Sequence, residues 1–176
     1  MRAFLAAALI AITPAAFADP AEDFAALVAD YEAHEAERDV ITRGRRGDLD
    51  AASRWPDASF EAVAAHDQAM AGFLERLEGI DPDALPDDDA ANYAVLAYLL
   101  ESAAAIPATR TALTPFTNDS GFHTRPGFVA MGTRLRTAAE ADAWIARIEA
   151  LPAYFAQHQA WLERGLELGI TQPREI

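Results

Sequence analysis

Helical periodicity runs through almost all of this chain, and one long stretch interrupts it. Apolar residues recur three and four positions apart in Phe24, Leu27, Val28 and Tyr31. They do so again in Phe60, Val63, Met70, Phe73, Leu74 and Leu77, in Tyr93, Leu96, Leu99 and Leu100, and in Trp144, Ile148, Leu151 and Phe155. That spacing lines one face of an α-helix. The hydrophobic share is 52%, and much of it is alanine, the strongest helix former. The fold class expected is therefore all-α: an irregular bundle of about five helices with one long ordered aromatic loop.

Local signals set the expected boundaries. Asp19 can cap and Pro20 can open a first helix reaching about Thr42, which Arg43-Gly44-Arg45-Arg46-Gly47-Asp48 breaks. Arg54-Trp55-Pro56-Asp57-Ala58-Ser59 reads as an ordered loop, because Pro56 biases Trp55 toward an extended conformation. Ser59 caps the second helix and Gly79 stops it. After a turn over 81–86, Asp87, Asp88 and Asp89 suit the positive end of a third helix. They lack the alternating oxygens, central Gly and terminal Glu of a calcium loop. Thr137-Ala138-Ala139-Glu140 is a capping box. Pro152 either kinks the helix that follows or starts a new one, and Gly169 closes the last.

From Thr109 to Arg136 the periodicity disappears. The stretch 113–128 carries Phe116, Phe122 and Phe128 beside Asn118, Asp119, Ser120, His123 and Arg125. A loop of that length inside a helical domain tends to be functional. Its plainer reading is that Asn118 and Asp119 make side-chain turns, Gly121 supplies a left-handed position and the Phe rings pin the loop to the core.

Charge and composition exclude several functions. Lys+Arg number 14 against 28 Asp+Glu, for a net charge of -14, which argues against nucleic-acid binding. Every basic residue is Arg, so P-loop and Schiff-base lysines are ruled out. No cysteine is present, which removes disulfides, thiolate metal sites and cysteine nucleophiles. Residues 1–18 read as a signal peptide: Arg2, an apolar run from Ala3 to Ile12 too short to span a bilayer, and the small-x-small sequence Ala16-Phe17-Ala18. The expected product is residues 19–176, periplasmic or secreted and free of the membrane after processing.

The four histidines, His34, His66, His123 and His158, show no local metal spacing. His34-Glu35 begins a His-Glu-x-x-His signature, but Arg38 stands where the second His belongs. His34-Glu35, His66 and His158 accordingly read as solvated helix faces, with no metal ligand assigned. Ser120, His123 and Asp119 are the residue types of a triad without the nucleophile elbow that one needs, so no catalytic residue is assigned. Asn118, Asp119 and His123 remain as candidates for lining a substrate cleft.

The run from Leu113 to His123, the later Gly165-x-x-x-Gly169-Ile170-Thr171-Gln172-Pro173-Arg174, and Arg54-Trp55-Pro56-Asp57-Ala58-Ser59 resemble the N-terminal part of the bacterial domain of unknown function 885 family. That resemblance implies an exported, largely helical protein similar to gluzincin zinc metallopeptidases, with its zinc helix in a later half. No segment here matches such a helix. The expectation is an N-terminal helical region, inactive alone, whose partners are the missing catalytic half and a peptide substrate. It needs no cofactor of its own, and zinc is expected in the full-length protein. The alternative is a self-contained periplasmic binding module that uses the 113–128 loop.

Overall fold

A computed structural model describes residues 19–173; the expected signal peptide lies outside the described residues. Among those described, eight α-helices and two single 3-10 turns form the chain, with no strand beyond one isolated bridge. The all-α expectation holds. Its five long helices are α1 (Pro20–Arg38), α4 (Phe60–Glu78), α5 (Asp87–Thr109), α7 (Ala138–Glu149) and α8 (Leu151–Glu167). Three short ones join them: α2 (Val40–Arg45), α3 (Leu49–Ala52) and α6 (Arg125–Gly132).

Most boundaries follow side-chain caps. Asp19 accepts the Ala21 N–H at 3.0 Å, Ser59 accepts that of Ala62 at 3.2 Å, and the Thr137–Glu140 box is closed in both directions. Pro152 falls in the first turn of α8 and therefore opens a new helix. The long first helix is corrected. Asp39 leaves the helical region, and its carboxylate accepts the Thr42 N–H at 3.0 Å, so one residue ends α1 and caps α2. The unbroken loop over 109–136 is also corrected. Pro126 sits in the first turn of α6, a helix whose eight residues are too few to display a periodic face.

Two apolar clusters form. In the first, antiparallel α1 and α4 pack with α5, and Leu27, Leu77 and Leu100 are fully buried. In the second, Val40, Ile41, Ala51, Trp55, Val129 and Tyr154 join α2, α3, α6 and α8. Arg147 of α7 is buried against this cluster. Its Nε donates to Arg54 O at 3.0 Å and its Nη2 to Ala51 O at 2.6 Å and Val40 O at 3.3 Å, while the guanidinium lies over the Trp55 ring. Trp55 Nε1 donates in return to Arg147 O at 2.7 Å. Trp161 Nε1 donates to Ala58 O at 2.8 Å, and the Trp161 ring packs edge-on to Phe60, tying the start of α4 to α8.

Candidate functional site

The 113–128 segment is a built structure. Phe116 and Gly121 pair as an isolated antiparallel bridge. Within that turn, Thr117 N donates to Ser120 O at 2.7 Å, and Thr117 Oγ1 meets Asp119 Oδ1 at 2.9 Å. Gly121 is required here: its φ is +140°, and a Cβ would lie 2.6 Å from Phe116 Cα. Phe122 stacks on His158 of α8, with centroids 4.6 Å apart, and meets Phe155 edge-on. At the segment's start, α8 approaches so closely that a Cβ on Gly165 would sit 2.7 Å from Ile170 O and 3.0 Å from Leu113 O. Gln172 Nε2 donates to Thr114 O and Phe116 O. Phe116 and Phe122 pin the loop as expected, but Phe128 is left 58% exposed, and Thr117 and Asp119, rather than Asn118, close the turn.

A pocket of about 500 Å³ opens beneath this loop, walled by α2, the loop itself, α6 and α8. Its apolar side includes Ile41, Phe122, Val129 and Tyr154, and its polar side includes Arg45, Arg125 and His158. Among the described residues neither Arg45 nor Arg125 forms an ion pair, unlike Arg43, Arg54, Arg76 and Arg164. Arg125 does act on its neighbours from a distance. The Asp39 carboxyl is held low first by its hydrogen bonds with Thr42 and then by the field of Arg125. Burial, reinforced by Arg125, pushes the His158 imidazole below the usual histidine range. His158 is therefore neutral at neutral pH, and its Nδ1 is buried without a partner. The arrangement offers two cations and a neutral imidazole over an aromatic wall, which suits an anionic group carried on an apolar body.

Asn118, Asp119 and His123 are all exposed. None lines this pocket; the loop contributes Pro115, Ser120, Gly121, Phe122, Thr124, Arg125 and Phe128 instead. His123 packs edge-on to Phe116 and Phe122 on the outer side of the loop. His158, read from sequence as solvated, is corrected to a half-buried residue of the aromatic stack.

A second cluster lies between α1 and α4. His34 Nε2 and His66 Nδ1 are 3.1 Å apart, and Glu35 Oε1 lies 3.9 Å from His66 Nδ1. The two rings are within 8° of parallel, with centroids 5.4 Å apart, so they meet edge to edge and not face to face. Glu35 Oε1 is buried with no hydrogen-bond partner. Burial, aided by Arg38, pushes the His66 pKa down, so this ring too is neutral near pH 7. The reading of His34-Glu35 and His66 as solvated faces is thus overturned. A signal for it was present. His34 continues the seam of Phe24, Leu27 and Tyr31, and His66 precedes Met70, Phe73 and Leu77 at the same spacing, so both histidines lie on the stripes that α1 and α4 turn toward each other.

The family profile of bacterial proteins of unknown function, DUF885, matches residues 41–176. The chain belongs to the DUF885 family. The match includes the 54–59 segment, the pinned loop and the Gly165–Gly169 region that carried the resemblance. It leaves out α1, and with it His34 and Glu35. No curated protein and no solved structure matches the chain. Among the described residues, no helix is long and apolar enough to cross a membrane.

Proposed function

We propose that this DUF885 chain is the N-terminal helical region of an exported zinc-metallopeptidase-like hydrolase, and that it supplies part of the substrate cleft through the pocket beneath residues 113–128. The observation that carries this reading is the pairing of Arg45 and Arg125, both free of ion pairs among the described residues, with the aromatic wall of Phe122 and Tyr154. In a chain of net charge -14, two cations that form no ion pair among the described residues and line one concave surface suit the free carboxylate end of a peptide, with its last side chain against the rings. The family's expected zinc helix does not fit any segment described here, so no catalytic step is assigned to this chain. Exposed apolar residues on α5, Val95, Tyr98 and Ile106, with Phe128 and Met131 of α6, are what a surface packed against further protein presents. They support reading the chain as part of a larger unit.

Calorimetric titration with a short peptide ending in an aromatic residue tests the pocket. The free-acid peptide is expected to bind, and its C-terminal amide to bind about tenfold more weakly, the loss of one charge-assisted contact. Arg125→Gln should remove the difference between the two. Equal binding of acid and amide by the unaltered chain would refute the carboxylate reading. Mass spectrometry should find the peptide intact, and its cleavage by this chain alone would refute the assignment of catalysis elsewhere.

A further inference from the structure

We propose that His34, Glu35 and His66 form a binding site for a divalent transition-metal ion of the zinc class, with His34 Nε2, His66 Nδ1 and a Glu35 carboxylate oxygen as its three protein ligands. The candidate ligand atoms of all three residues lie within 4.8 Å of one another. Two donors on a tetrahedral zinc, each about 2.0–2.1 Å from the metal, are about 3.3 Å apart. The two ring nitrogens, at 3.1 Å, are already within a few tenths of that spacing. Glu35 Oε1, at 3.9 Å from His66 Nδ1, needs to close by about half an ångström to reach the same spacing. Its side chain is 43% exposed.

A histidine pair held only by its own hydrogen bond leaves the Glu35 oxygen unexplained. That atom is buried, aimed toward His66 and without a donor, an arrangement that is unfavourable unless something positive fills the gap. A metal ion satisfies all three groups together. The rings now meet edge to edge, and converging on one ion requires each to tip about its broad terminal torsion. The proton shared along the N···N line moves to the other nitrogen of its own ring, so both lone pairs become available with no net proton release.

The donor set selects the ion. Two imidazoles and one carboxylate suit zinc, cobalt, nickel or copper in the divalent state, and they are too nitrogen-rich for magnesium or calcium. Three protein ligands leave a fourth position for water, the pattern of an open rather than a closed site. The site joins α1, which lies outside the family match, to α4, which lies inside it. It is thus separate from the zinc helix that the family resemblance implies, and it does not rest on the peptide-pocket reading.

The test is calorimetric titration of the full chain, prepared without a histidine tag and stripped with chelator, against zinc and separately magnesium. One zinc per chain is expected, with no magnesium binding. Thermal unfolding should rise by several degrees when zinc exceeds its dissociation constant about a hundredfold. His34→Asn and His66→Asn should each weaken zinc binding at least about tenfold, and Glu35→Gln by a similar or smaller factor. His123→Asn should leave it unchanged. The Co2+ complex should show the intense visible band of a four-coordinate ion and lose it in the His66 variant. If a histidine variant fails to retain its helical circular dichroism, Glu35→Gln, on a partly exposed side chain, decides the matter. Zinc binding unaffected by Glu35→Gln and by whichever histidine variant folds, or no stoichiometric zinc binding at all, would overturn the proposal.

Discussion

The core between α1, α4 and α5 closes with apolar side chains, whereas the one around α2, α3 and α8 closes about a buried cation. Leu27, Leu77 and Leu100 fill the first without a polar partner among them. In the second, Arg147 reaches the carbonyls of Val40, Ala51 and Arg54, and Trp55 answers by donating to the carbonyl of Arg147. The physical problem differs in each. Long helices satisfy their own backbone, so α1, α4 and α5 need only apolar faces that match. Helices of six and four residues have little apolar face to match, and a planar donor fork that meets Val40 O, Ala51 O and, just past α3, Arg54 O ties them to α7.

The contrast can be broken at its strongest point. Leu100→Ala removes a side chain with no exposed surface from a core of rigid helices, and it should cost about 3 kcal/mol in urea unfolding. A loss below about 1 kcal/mol would mean that α5 collapses into the space and that this core is not close-packed. Arg147→Met should cost less, about 2 kcal/mol. It removes the side-chain donors to Val40 O, Ala51 O and Arg54 O but also relieves a desolvated charge, since burial already pushes the Arg147 pKa down. Arg147→Lys should recover little of that loss, because an ammonium cannot reproduce the flat fork. If Lys restores full stability, Arg147 contributes charge and bulk, and the carbonyl geometry is incidental.

The same contrast explains what could be read from the sequence. Apolar spacing and side-chain caps located α4, α5, α7 and α8, because those signals are local: Ser59, Gly79, Thr137 and Glu140 act within a few residues of themselves. The family resemblance rested on segments with a packing reason, since Gly165 permits the close approach of Leu113, and Gly121 the turn beside Phe116. Short helices escaped notice because α2 and α3 are stabilised from 96 to 107 residues away in sequence, through Arg147. The candidate sites were least legible. His34 and His66 are separated by 32 positions, and the pocket draws on four segments. Asn118, Asp119 and His123 stood out by residue type and crowding, yet the side of the loop that faces the pocket was set by Phe122 stacking on His158, a contact no local pattern encodes.

The smallest effect separates the two cores by pH. His158 beside the second core is held below the usual histidine range by burial and by Arg125, and His66 beside the first by burial and by Arg38. Each therefore binds fewer protons when folded than when unfolded, in the window that lies below the unfolded value of about 6.5. Stability must rise with pH through that window, be complete above it, and be lost as acid drives the proton onto the unfolded chain. His158→Gln should flatten the slope of unfolding free energy below about pH 6.5, and His66→Gln should flatten it independently, because the two rings share no partner. Adding zinc then distinguishes the cores. If His66 and not His158 is a metal ligand, saturating zinc should steepen the pH dependence of the parent and of the His158 variant, since protons compete with the metal for the ligand nitrogens. It should leave the His66 variant's slope as it was.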